Sequence, residues 1–137
     1  MPAIAVAAAA PAFATSGANL ETSTGTATSP NGVKPITVTL RIVNTGSAPT
    51  CDLRVTVTAP NQISSTQSAP TGWTVVSPIG TNSITYDANA QLGPVGSTNS
   101  TMDVTFVVDR GSNASGTVTV YIDPGCGGTP RTLSFTI

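Results

Sequence analysis

The 137-residue sequence lacks histidine altogether, and charged residues make up only 8% of it. A typical domain has about 25% charged residues. Without histidine, the chain has neither the most frequent general base nor the imidazole of the usual catalytic triads. Its six acidic residues are few, whereas glycoside hydrolysis requires two carboxylates that face each other across a cleft. We therefore expect no enzymatic activity and no cofactor.

Positive charge is also scarce. The five basic residues leave a net charge of −1, so the chain offers no field that would attract nucleic acid or acidic lipid. The polar positions are instead filled by threonine and serine, which together account for roughly a quarter of the residues. Because the branched Cβ of threonine packs well on a pleated surface, this composition favours β-strands. We expect no nucleic acid partner.

The first fourteen residues differ from the rest of the chain. Ala3–Ala10 is entirely apolar, Pro11 interrupts it, and Ala12-Phe13-Ala14 has the small-x-small form of a cleavage site. The segment resembles the end of an export signal of actinobacterial secreted proteins, although no basic residue precedes Lys34. It is too short for a membrane span, which takes about 20 residues. We therefore interpret residues 1–14 as a signal-peptide remnant and expect a secreted, extracellular or cell-envelope protein; an apolar tail without a targeting role is the alternative.

Cys51 and Cys126 are the only cysteines. If the chain is exported, a disulfide bond between them is the default expectation, and it would close a long loop worth about 4 kcal/mol. Free buried thiols are the alternative. A zinc site is not expected, because the chain has no histidine and no third cysteine.

Apolar and polar residues alternate one for one in five stretches, a period that places one face of a strand in a core and the other in water. With further short strands and turns about every ten residues, the pattern predicts an all-β fold, an immunoglobulin-like antiparallel β-sandwich of seven to eight strands. We expect this domain over residues 33–137, after a flexible or edge-strand segment at residues 15–32. The alternating stretches are Ile36–Ile42, Leu53–Thr58, Met102–Val108, Val118–Ile122 and Leu133–Ile137.

The order of strands and turns resembles that of the conserved Ig-like repeat domain of bacterial and archaeal secreted and surface proteins. The resemblance covers residues 33–122 and implies a structural role without catalytic residues. It rests on the strand Ile36–Asn44 with the turn Thr45-Gly46-Ser47-Ala48-Pro49, on Pro70-Thr71-Gly72-Trp73, and on the loop Leu92–Ser97 before Met102–Val108.

Few residues are candidates for binding. Trp73 could stack on a sugar, but a single tryptophan more often fills a core. Asp87, Asp109 and Asp123 follow or end strands and are weak calcium candidates, since aspartate at such places commonly makes turns. We expect Tyr86 and Tyr121 to be exposed and Arg110–Asn113 to form a hairpin-type connection.

We expect Asp103 to lie on an exposed sheet face and to pair with Arg41 or Arg54. The favoured function is that of a structural or adhesive domain that contacts a protein or a cell-wall polymer at the envelope. One alternative is a homo-oligomer, a filament or surface-layer subunit in which residues 15–30 add as a strand to the next subunit. Another alternative is a weak carbohydrate-binding module that uses Trp73.

Overall fold

A computed structural model describes residues 17–76 and 81–137, which form two antiparallel sheets with one core between them. The predicted signal-peptide remnant at residues 1–14 lies outside the described residues. The predicted all-β, immunoglobulin-like sandwich is confirmed, with eight strands among the described residues. The strands are β1 Thr24–Thr28, β2 Ile36–Val43, β3 Arg54–Thr58, β4 Trp73–Val75, β5 Ser83–Ala88, β6 Thr101–Val108, β7 Thr117–Asp123 and β8 Arg131–Thr136.

One sheet has three strands in the order β1-β2-β6. Strand β2 is its centre, and its alternation of buried and more exposed residues follows the sequence pattern. The register places Val38 opposite both Ala27 and Phe106, so these three side chains point into the core together. The opposite phase places Thr39 between Thr26 and Thr105 on the outer face.

The other sheet has five strands in the order β4-β5-β3-β7-β8. Strand β3 pairs with β5 on one side and with β7 on the other, whereas β8 pairs with β7. The predicted hairpin-type connection at Arg110–Asn113 is wrong, because β6 and β7 belong to different sheets. This segment instead carries the chain from one layer of the sandwich to the other.

The core is a single cluster to which both sheets contribute. Val38, Val104 and Val120 all lie in it, as their phases predict. Tyr86 is also fully buried, so its predicted exposure is wrong. The physical reason is the alternation of side chains along β5. Tyr86 and the buried Ile84 lie two residues apart on this strand and therefore point to the same side of the sheet.

The segment before β1 bridges the two layers. Leu20 N donates to Thr129 O (2.9 Å) and Thr129 N donates to Ala18 O (2.9 Å), a short parallel pairing beside the start of β8. Leu20 is fully buried. A few residues later the chain joins the other sheet as β1, so the edge strand of the three-stranded sheet lies within the segment 15–32.

Asn44 explains why the turn after β2 has its particular sequence. Its buried side chain uses both amide hydrogens and its oxygen: Nδ2 donates to Ala48 O and Gly93 O (2.9 Å each), while Oδ1 accepts from Asn19 N (2.9 Å) and Gly46 N (3.0 Å). One side chain therefore joins the N-terminal segment, the turn and a distant loop.

The predicted disulfide bond is present between Cys51 and Cys126, whose Cα atoms are 6.0 Å apart. It joins the residue before β3 to the β7–β8 loop, and both cysteines are exposed. In the same place Cys51 N donates to Pro124 O (3.0 Å), so the backbone holds the two segments together as well. Among the described residues, which contain one short 3₁₀ turn, no helix is long and apolar enough to cross a membrane.

Candidate functional site: the outer faces of the two sheets

The outer face of the three-stranded sheet is a grid of threonine side chains. Thr26, Thr39 and Thr105 form one row across the three strands, and the Oγ1 atoms of Thr39 and Thr105 lie 3.4 Å apart. The next row has Thr28 and Thr37 beside Val107, whose shape is close to that of threonine. This face therefore presents methyl and hydroxyl groups without formal charge over two rows.

A shallow groove of about 450 Å³ lies at one end of this grid. Its charged members are Arg41 and Asp103, which pair directly across β2 and β6: Nη1 of Arg41 donates to both carboxylate oxygens of Asp103, at 3.0 and 3.1 Å. Of the two partners predicted for Asp103, Arg41 and Arg54, it is Arg41 that pairs with it. Both side chains are more than half exposed, so the pair adds less than about 1 kcal/mol to stability. The groove is lined by Thr24, Gly25, Thr26, Thr39, Leu40, Arg41 and Asp103.

The outer face of the five-stranded sheet is also rich in hydroxyls. Thr56 pairs with Thr85, and Thr58 with Ser83, each through side-chain oxygens 2.9 Å apart. These hydroxyls partly satisfy one another across neighbouring strands. Tyr121 on β7 is 39% exposed on this side, in agreement with its predicted exposure.

The weak calcium candidates lie at different places. Asp87 and Asp123 flank Arg54 in register, and Arg54 Nε lies 3.5 Å from Asp87 Oδ1. Asp109 follows β6, and its carbonyl oxygen accepts from Ser64 N in the loop beyond β3. A cation bound by Asp87 and Asp123 would have to lie between their two carboxylates, and Arg54 already occupies that position. No group of three or more metal-binding side chains occurs among the described residues.

Trp73 is buried, with 7% of its surface exposed. Its ring meets Phe106 edge to face, with centroids 5.0 Å apart and planes at 83°, while Tyr86 lies against the same phenyl ring at 4.4 Å. Such aromatic pairs contribute about 0.5–1.5 kcal/mol beyond their burial. The position of Trp73 favours its interpretation as a core residue over that of a sugar-stacking platform.

Arg110 is a buried cation, although the sequence predicts it only as part of a connecting turn. It is 2% exposed, and its guanidinium donates to carbonyl oxygens of Gly32 (3.0 Å) and Ala114 (2.7 Å) and to side-chain oxygens of Ser29 (2.8 Å) and Asn61 (3.0 Å). Desolvation by burial lowers the pKa of Arg110. We call this arrangement the Arg110 clamp, since it joins three loops at one end of the sandwich.

Tyr86 is a second buried polar group of interest. Its hydroxyl is buried and has no hydrogen-bond partner among the described residues. Burial, and to a smaller extent the charge of Asp109, raises the pKa of Tyr86 to about 12. This group is enclosed in the core and is not part of a surface site.

The burial of Arg110 could be predicted from the sequence, whereas the existence of the groove could not. Arg110 continues the inward phase of Phe106 and Val108, so alternation alone would have placed its side chain inside. The groove depends on which strands become neighbours, and strand order is not encoded in the local pattern. A different crevice, of about 500 Å³, is formed by loop residues beside Ile63 and Gly111.

Comparisons with known proteins give no family assignment: no protein-family model matches this chain, and no curated protein matches it significantly.

Proposed function

We propose that this chain is a secreted or cell-surface immunoglobulin-like domain with a structural or adhesive, non-enzymatic role. The observation that carries the proposal is the character of the outer faces, where threonine and serine hydroxyls dominate and the charged side chains pair with each other. Such faces suit contact with an uncharged, hydroxyl-bearing polymer or with the polar surface of another protein. The absence of histidine in the sequence supports a role without catalysis.

The Cys51–Cys126 disulfide supports a location outside the cytoplasm. Disulfide bonds persist in oxidising compartments and are rare in the cytosol, where thiols are kept reduced. The apolar, alanine-rich start of the sequence, with Ala12-Phe13-Ala14, points the same way. Bacterial origin and attachment to a bacterial envelope are part of the proposal and rest on the resemblance described for residues 33–122.

The groove at Arg41 and Asp103 is the surface that we assign to the partner. A guanidinium and a carboxylate side by side offer hydrogen-bond donors and acceptors to a neutral partner. The neighbouring threonines Thr24, Thr26 and Thr39 add further hydroxyl groups.

The two alternative functions gain less support from the contacts. Strand donation by residues 15–30 would withdraw Leu20 from the core in which it is fully buried. A sugar site based on Trp73 would need the ring that now packs against Phe106.

The test measures retention of the oxidised protein on insoluble bacterial cell walls and on neutral polysaccharides. We expect wild-type protein to be retained, and Arg41→Ala with Asp103→Ala to be retained several-fold less. The matched control is Arg54→Ala with Asp87→Ala, which removes a comparable surface pair from the other sheet and should leave retention unchanged. Equal retention of all three proteins would exclude the groove as the contact surface.

A second measurement tests localisation. Cells that express the complete gene are fractionated, and free thiols are labelled at the moment of lysis. We expect Cys51 and Cys126 to be oxidised and the protein to be found outside the cytoplasm. Reduced cysteines in a cytoplasmic pool would overturn the proposal of secretion.

A further inference from the structure

Strand β8 has an unpaired edge. Gly116 and Ile137 exchange two backbone hydrogen bonds (3.1 and 2.9 Å), and in an antiparallel ladder such bonded pairs recur at every second residue. The N–H and C=O groups of Thr132, Ser134 and Thr136 therefore point away from β7. No described residue forms a hydrogen bond with these groups.

Two of the other sheet edges are shorter, and the third, β6, is flanked by another segment near its C-terminal end. Strand β4 has only three residues, and β1 has five. The segment around Ala69 and Pro70 lies along β6 beside Thr105 and Val107. Strand β8 has six residues, and after Arg131 it contains no charge and no proline. Natural proteins usually protect such an edge with lysine, proline or a bulge, and β8 has none of these beyond Arg131.

The inward side chains of β8 are also incompletely covered. Leu133, Phe135 and Ile137 are only partly buried, whereas the inward residues of the adjacent β7 are fully buried. The reason lies in β1, which contacts β8 from the other sheet but presents only Gly25 and Ala27 to the interior. Apolar surface therefore remains next to the unpaired edge.

We propose that β8 pairs with β8 of a second copy of this chain, antiparallel and about a two-fold axis at Ser134, so that two five-stranded sheets become one sheet of ten strands. The sequence of β8 is self-complementary for this arrangement. Ser134 would lie opposite the second copy's Ser134, and Thr132 opposite the second copy's Thr136, so that every outward backbone group finds a partner. On the outer face the pairs are hydroxyl to hydroxyl.

The same register works on the inner face. Leu133 would lie opposite the second copy's Phe135, and Phe135 opposite the second copy's Leu133, so each half-buried side chain gains an apolar neighbour. A two-fold interface of this kind uses the same patch on both copies and closes on itself, because each β8 has one free edge. The proposal thus predicts a dimer and not a filament.

The interface is small, which sets the expected affinity. A single strand pair lies at the low end of interface sizes, below about 1,200 Å², where complexes are weak or transient. We therefore expect a dissociation constant between about 1 μM and 1 mM, the range in which sedimentation experiments must be made.

The first experiment compares wild type, Ser134→Lys and Thr39→Lys by sedimentation equilibrium across that range. Ser134→Lys places two ammonium groups against each other at the two-fold axis, and its side chain is exposed in the single chain. We expect wild type and the control Thr39→Lys to rise from 13.6 kDa towards twice that mass, while the dissociation constant of Ser134→Lys weakens at least about ten-fold. A monomeric wild type at about 1 mM, or a dimer that Ser134→Lys leaves intact, would overturn the proposal.

The second experiment tests the register with cysteine. Opposed residues in a hydrogen-bonded antiparallel pair have Cα atoms about 5.5 Å apart, which lies within the range that a disulfide bond spans. Under mild oxidation we expect Ser134→Cys to form a covalent dimer at least about ten times faster than the control Thr39→Cys, because only the former lies on the proposed axis. Equal rates for the two variants would refute this register even if both proteins fold as wild type.

Discussion

Replacing Tyr86 by phenylalanine should stabilise this protein, which is unusual for a substitution in the centre of a core. The ring of Tyr86 packs on Phe106 with centroids 4.4 Å apart, and phenylalanine keeps that contact. The hydroxyl, in contrast, is buried without a hydrogen-bond partner among the described residues. A buried polar group left unsatisfied costs about 1–3 kcal/mol. We therefore expect Tyr86→Phe to raise the free energy of unfolding at neutral pH by about 1 kcal/mol or more.

The same substitution should change the response to alkali. The folded-state pKa of Tyr86 is raised to about 12 from 10.0, first by desolvation and then by the charge of Asp109. Below pH 10 the residue is protonated in both states, and its contribution to stability is fully present. Between pH 10 and 12 the unfolded chain releases the proton while the native protein keeps it, so stability falls as pH rises. Two pKa units limit this loss to about 3 kcal/mol.

The assay is urea unfolding at several pH values, followed by the fluorescence of the only tryptophan, Trp73. Tyr121→Phe is the matched control, since Tyr121 is 39% exposed. We expect Tyr86→Phe to be more stable than wild type at pH 7 and to lose less stability between pH 10 and 12, whereas Tyr121→Phe should follow wild type more closely. A variant that is less stable at pH 7, or that falls as steeply in alkali, would refute the interpretation of Tyr86 as an unsatisfied buried hydroxyl.

Three further tests, each by denaturant unfolding, concern other parts of the fold. Removal of the disulfide in the double variant Cys51→Ser, Cys126→Ser should lower the free energy of unfolding by up to about 4 kcal/mol, because the bond joins residues at a sequence separation of 75 in the unfolded chain. An unchanged free energy of unfolding would show that the bond does not constrain the unfolded chain. Arg110→Met should cost at least about 3 kcal/mol, because it removes the hydrogen bonds that the guanidinium donates to three loops, two of them in a buried position, and a cost below about 1 kcal/mol would show that the Arg110 clamp is dispensable. Gly46→Ala should destabilise strongly, since an added Cβ would overlap the backbone of the N-terminal segment, whereas Gly111→Ala, with open space at that position, should be nearly neutral.

The long strands could be predicted from the sequence because their alternation is strong. Strand β2 at Ile36–Val43 and β6 at Thr101–Val108 agree to within one residue with the alternating stretches Ile36–Ile42 and Met102–Val108. In these cases the side chains alone decide the face, because an apolar residue every second position leaves one way to bury them.

Contacts between distant segments could not be predicted in this way. The connection at Arg110–Asn113 has the turn residues of a hairpin, but its flanking strands join different sheets, and nothing local to the turn determines that. The phase of Tyr86 relative to the core predicts exposure, but the facing of the short strand β5 is set by its pairing with β3, which places Tyr86 inside together with Ile84. The groove at Arg41 and Asp103 could be foreseen only as an ion pair, since its shape depends on β1 as a third neighbour.

The pairing of charged side chains with close neighbours has a consequence for the medium in which the protein works. At a salt concentration of 0.1 M, dissolved ions screen attractions between exposed charges that lie more than about 10 Å apart. This chain has few such long-range attractions, because its ion pairs join side chains that are close neighbours. The fold should therefore tolerate large changes in the salt concentration of its medium.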